Sequence, residues 1–313
     1  MEPLTTAISS GNLSLVEEIF SVPSVSINRV SAVGDHPLKL ACELGQTAIV
    51  RYLLTHEDID VNNVSPIGIT PLSFACQKGH VEVVKLLLDD PRVDLNLPSR
   101  VGATPFDFAC EKGQAGVVAL MLLDLRVNIN QPNDMGGSPI WLASQNGHLQ
   151  VVQKLLVCGR DINLKIKSSS GPDGWRNKTA AEVARWAVTA AKFWFENPQD
   201  VKRREVNCPV IADLLESFEH DAASVRRQIM ELPELRGLFI GVVFAQVIFL
   251  SDNFVQLKPD VPADARSFFT VAAALPIELQ MVLCNRLFSS PKDVVLTKFS
   301  EPAFREFANM QWS

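Results

Sequence analysis

Residues 71–88 carry two short apolar sets on either side of a glycine: Leu72, Phe74, Ala75 and Cys76 before Gly79, and Val83, Val84, Leu86 and Leu87 after it. The second set has the three-to-four spacing of a helix that buries one side, which predicts a helix over Val81–Leu88. The first set follows Pro71, whose fixed φ and missing N–H suit the first helical position. Thr70 before it can accept a hydrogen bond from the first turn, and Gly79 can take the positive φ that ends a helix. Beyond the pair, Val93-Asp94-Leu95-Asn96 and a turn at Val101-Gly102 predict an extended hairpin projecting from the helices.

The same pattern recurs. Pro3, Pro37, Pro71, Pro105 and Pro139 stand 34 residues apart, and Thr104, Ser138 and Thr179 take the place of Thr70 in later copies. A fixed period of this length predicts an all-α solenoid of helix pairs with projecting hairpins. Its copies, with Thr70-Pro71-Leu72-Ser73-Phe74-Ala75, Gly79-His80 and Leu86-Leu87-Leu88 as the model, resemble the ankyrin repeat over residues 1–219. Four internal copies begin near Val33, Ile67, Val101 and Met135, and the residue by which each exceeds the family length of about 33 falls in stretches such as 88–93. The first copy is expected to be an amino-terminal cap. After an insertion near residues 165–178, a divergent sixth copy restarts at Thr179-Ala180 and ends in a helix over residues 210–218.

Two departures shape the functional reading. The histidine that follows Pro-Leu in the family is replaced by Lys39, Ser73, Asp107 and Trp141, so a polar link between repeats must be absent or made differently. Those four positions differ in every copy, as a recognition surface would. The residues before the hairpin glycines, Val33, Ile67, Val101 and Met135, are apolar, one per repeat, where most ankyrin repeats carry a polar residue. The resemblance implies a non-catalytic module that holds a partner protein on the concave face, with these eight residues as contacts. Trp141 is either an anchor for the partner or a filler against the next repeat.

Composition narrows the remaining possibilities. Hydrophobic residues make up 47% of the 313 and charged residues 20%, which excludes a disordered chain. A net charge of −6 gives no electrostatic basis for gripping nucleic acid or an anionic membrane. Residues 1–20 lack a secretory leader pattern, and the apolar run over 237–251 is too short to span a bilayer, so cytosol or nucleus is the expected address. Cys42, Cys76 and Cys110 share one repeat position and are expected to be separate core thiols. The five histidines are scattered, with no metal-binding or nucleophile motif, so neither cofactor nor catalysis is expected. Lys202-Arg203-Arg204 reads as a solvated turn, and the protein is expected to be a monomer.

Past residue 219 the rhythm stops. Residues 220–313 form a second, helical segment, polar over 224–231 and apolar on nearly all sides over 235–250. Leu275-Pro276-Ile277-Glu278-Leu279, with Leu283 after it, resembles the opening of an F-box. That resemblance implies an alternative role as substrate receptor of a cullin-type ubiquitin ligase, with Leu275, Pro276, Leu279 and Leu283 docking a Skp-type adaptor. The layout as a whole is similar to ankyrin-repeat proteins of fungi.

Overall fold

The computed structural model describes residues 3–22, 24–30, 36–170, 175–189, 197–230 and 232. The described residues form helices joined by turns, with no strand among them. The chain falls into two compact units, residues 1–155 with 162–220, and residues 156–161 with 221 onward.

In the first unit the helices come in pairs: α1 (Pro3–Ser9) with α2 (Leu13–Phe20), α3 (Pro37–Glu43) with α4 (Thr47–Leu54), α5 (Pro71–Lys78) with α6 (Val81–Leu88), and α7 (Pro105–Lys112) with α8 (Ala115–Leu122). They are followed by α9 (Pro139–Gln145), α10 (Leu149–Val157), α11 (Ala180–Thr189) and α12 (Pro198–His220). First helices stack on first helices, from α1 through α3, α5, α7 and α9 to α11, while α2, α4, α6 and α8 form a second row.

The core is a set of columns one repeat apart. Leu4, Leu38, Leu72, Phe106 and Ile140 form one column, Ala7, Ala41, Ala75, Ala109 and Ala143 a second, and Val50, Val84, Val118 and Val152 a third, all buried. The alanines are what let successive helices approach closely. Cys42, Cys76 and Cys110 are buried free thiols in a fourth column, each pushed up in pKa by burial.

Helix starts follow the local chemistry. Thr70 Oγ1 accepts from Ser73 N at 3.0 Å, and Thr104 with Asp107, like Thr179 with Glu182, closes a reciprocal capping box. Ser138 makes no such bond. Gly79 and Gly113 end α5 and α7 at φ 81° and 73°, and a Cβ on Gly113 would lie 2.2 Å from His148 Nδ1 in the next repeat. Both left-handed geometry and close packing therefore demand glycine there.

The expected hairpins are turns rather than strand pairs. Each finger is closed by two bonds, Ser99 N to Ala103 O at 2.9 Å and Gly102 N to Ser99 O at 2.9 Å in one copy, with equivalent pairs at Ser65 and Asn133. The insertion is an enlarged finger of the same kind. Ser168 N donates to Lys178 O and Asn177 N to Ser168 O, and Asn177 at φ 59° takes the left-handed place that Gly136 holds one repeat earlier.

α12 is longer than the helix expected over 210–218. It begins at Pro198, runs through Pro209, and buries Cys208, Ile211, Ala212, Leu215 and Phe218 along one side. Pro209 is exposed, as is Glu205, whose carbonyl loses its usual donor. The Lys202-Arg203-Arg204 run lies inside this helix instead of on a solvated turn, and Arg203 Nε donates to Asn146 O at 2.9 Å, beyond the end of α9. In the second unit α13 (Ala222–Met230) carries Arg226, whose Nε donates to Leu156 O at 2.9 Å.

Candidate protein-binding surface

The finger tips stand in a bonded row. Arg100 N donates to Ile67 O at 3.3 Å, Asp134 N to Val101 O at 3.1 Å and Ser169 N to Met135 O at 2.7 Å. Each tip residue thus spends its carbonyl on the next finger and leaves its side chain outside. Ile67 is 60% exposed, Val101 57% and Met135 40%. Three apolar side chains held at one-repeat intervals on a satisfied backbone form an exposed apolar row. A second row runs beside it: exposed Val64, Pro98 and Pro132 stand three residues ahead of the three tips. Val33, the fourth expected tip, lies outside the described residues.

The four first-helix positions are placed differently from the expectation of a variable recognition face. Ser73 is buried with its hydroxyl 2.9 Å from Thr70 Oγ1, and Asp107 is buried with one carboxylate oxygen accepting from both Thr104 N and Thr104 Oγ1. These residues sit at the third helical position, where a short polar side chain folds back onto the cap. Lys39 is half-buried, paired with Glu43 at 3.4 Å and lying 4.9 Å over the Phe74 ring of the next repeat. Trp141 is 3% exposed; its Nε1 donates to Lys178 O at 3.0 Å, and its ring meets Trp175 edge-on at 6.1 Å. It fills space and braces the enlarged finger. Variation at these positions serves packing and capping, because none of the four projects freely from the surface.

The polar link expected to be absent or remade is remade by the residue after each helix-ending glycine. His80 Nε2 lies 3.0 Å from Glu43 O, Gln114 Nε2 donates to Gln77 O at 3.0 Å, and His148 Nε2 lies 2.8 Å from Glu111 O. Burial and the nearby Arg203 guanidinium push His148 down to about 4, so at neutral pH the ring is uncharged and donates from Nε2.

Two further links escaped the sequence reading. Asn62 and Asn96 each donate to a carbonyl 30 residues ahead and accept from an N–H 32 residues ahead, at 2.7–2.8 Å, and Asn130 accepts from Asn163 N at 2.9 Å. Arg92 donates to the carbonyls of Leu54, His56 and Glu57 at the end of the preceding outer helix, steadied by Asp90 at 2.6 Å; Arg126 repeats this toward Leu88 O with Asp124. The longer loop at 88–93 thus supplies a cation to orphan helix-end carbonyls. The recurrence of Asn and Arg at the repeat period was the signal for both.

Leu275, Pro276, Leu279 and Leu283 lie outside the described residues. Among the described residues no cluster of three or more His, Cys, Asp or Glu is placed to hold a metal ion, and no helix is long and apolar enough to cross a membrane.

Comparison with known protein families finds a match to the model described as ankyrin repeats (3 copies), over residues 4–99 and 91–166, together just over half of the chain. No curated protein matches the chain.

Proposed function

Since the chain belongs to the ankyrin-repeat family, whose members are protein-interaction modules, we propose that it is a non-catalytic binder whose partner protein lies along the finger tips and the concave face beside them. The observation that carries this reading is the row of Ile67, Val101 and Met135, apolar side chains left exposed on a backbone whose own bonds are made. Burying them on a partner removes apolar area from water at about 25 cal/mol per Å², and because the fingers are already ordered, little conformational freedom is lost on binding. Val33 is included in the row on the strength of the repeat. Lys39, held by Glu43 and the Phe74 ring, stands with Ser73, Asp107 and Trp141 as support beside the fingers.

The test is a capture experiment with the full chain and its I67S/V101S/M135S variant, each checked for an unchanged melting temperature. Loss of the partners recovered with the wild type is the expected outcome. Identical recovery by the folded variant removes the tips from the binding surface.

A further inference from the structure

The outer row of helices contains one that breaks its own rule. In α4 and α6 and the residue that closes each, the solvent side carries Ala48, Arg51 and Thr55, and Glu82, Lys85 and Asp89. The same places in α8 and just after it hold Gly116, Ala119 and Leu123. The whole helix, Ala-Gly-Val-Val-Ala-Leu-Met-Leu, has no charged or hydrogen-bonding side chain. Its inner side, Val117, Val118, Met121 and Leu122, is buried as in every repeat. Its outer side is less covered, and the turn that follows it is open: Leu123 is 52% exposed and Leu125 40%, with Val81 at the start of α6 exposed as well and its Cγ2 3.1 Å from where a Gly116 Cβ would stand. An all-round apolar helix is expected in an interior, and here Gly116 is exposed while Ala119 and Leu120 are only half-buried.

The neighbours define what fits. On the α6 side Glu82 and Asp89 are exposed, seven residues apart, and neither side chain has an ion pair or hydrogen bond among the described residues; Lys85 between them is half-buried. Toward α10 the exposed residue is the uncharged Gln150. Gly116 and Leu123 have the same seven-residue separation, about 10 Å along a helix axis, so apolar and acidic groups run in parallel over two turns. Small residues at 116 and 119 let a second helix come close, ridge into groove.

We propose that the outer face of α8 is a second docking surface, on the opposite row of helices from that of the inner stack, and that it takes an amphipathic helix of a partner protein with lysines or arginines along one flank. The apolar stripe of that helix covers Gly116, Ala119, Leu120 and Leu123, and its basic flank meets Glu82 and Asp89.

Fluorescence anisotropy with the full chain tests this with two labelled helix-forming peptides, both with leucines at helical spacing, one flanked by lysines and the other by glutamates. The lysine peptide is expected to bind at least tenfold more tightly than the glutamate peptide. L123Q/L125Q should weaken it at least tenfold and E82K/D89K severalfold, while I67S/V101S/M135S leaves it unchanged. If L123Q/L125Q fails to fold, Gly116→Gln, which introduces the residue found at that place one repeat later, tests the same face. The proposal is overturned if wild type binds neither peptide or both equally, or if binding ignores the folded α8 variants. A concentration-dependent doubling of mass by light scattering that L123Q/L125Q abolishes would overturn it too, assigning the face to a second copy of the chain.

Discussion

Between residues 36 and 170 each repeat is tied to the next by bonds that recur with the period, whereas over residues 175–220 the ties are made by other atoms. In the regular part a side chain reaches backbone one repeat away: Asn62 and Asn96 ahead, His80, Gln114, Arg92 and Arg126 behind. At the closing end α12 supplies Arg203 to Asn146 O and Asn207 to Gly147 O, both at 2.9 Å, while Trp141, Trp175 and Trp186 meet edge-on. A periodic link works only where both its side chain and its backbone target recur. The enlarged finger breaks that recurrence, and the end of the stack is held by contacts that have no copy elsewhere.

The largest expected effect probes a cost inside the regular part. Desolvation raises Asp107 from 3.8 to about 7, against the opposing hydrogen bonds from Thr104. Its other carboxylate oxygen, Oδ1, is buried without a hydrogen bond. The folded pKa lies above the unfolded one, so the contribution to stability is fully present below pH 3.8 and is lost as pH rises through about 7. At about 1.4 kcal/mol per pKa unit the loss is on the order of 4 kcal/mol. Urea unfolding of wild type and Asp107→Asn at pH 5 and pH 8 reads the part that falls between pH 5 and about 7, roughly 3 kcal/mol: the wild type should lose more between the two pH values. Parallel behaviour of the two proteins would mean that the carboxyl is not strained by burial.

Next in size is a link of the regular kind. Asn96→Ala removes the bond to Arg126 O and the bond from Asn128 N, each 2.7 Å. At about 1 kcal/mol per bond, plus part of the desolvation of the groups left behind, the cost is about 2–3 kcal/mol. A lowered urea midpoint with an unchanged slope is the expected result, because the loss weakens the array as one cooperative body.

Much of this architecture was legible in the residues. The prolines mark helix starts, the glycines mark helix ends, and the apolar residues at one-repeat intervals are the buried columns; the exposed tips also follow from their place before Gly68, Gly102 and Gly136, which all have positive φ. The four first-helix positions were not legible as structural. Ser73 and Asp107 look like surface choices, yet Thr104 three residues before Asp107 is the spacing of a capping box, and that spacing turns the polar side chain inward. Trp141 depends on the enlarged finger to give its indole N–H an acceptor, and no periodic argument places Lys178 there. α12 begins well before the helix expected over 210–218, since an exposed proline within a well-packed stripe is tolerated.

The smallest effect belongs to the closing end and separates it from the rest. Asn207→Ala removes one hydrogen bond, to Gly147 O, from a half-buried side chain, at a cost of about 1 kcal/mol. Because α12 packs chiefly on α11 and, to a lesser extent, on α9, the loss should loosen the end alone. Hydrogen exchange is the measurement that tells local from global loss: amides of α12 should exchange faster while those of α5 and α7 keep their protection. If protection falls equally in α5, α7 and α12, the closing repeat shares the cooperativity of the regular ones, and the two regions differ in which residues tie them without a difference in how they unfold.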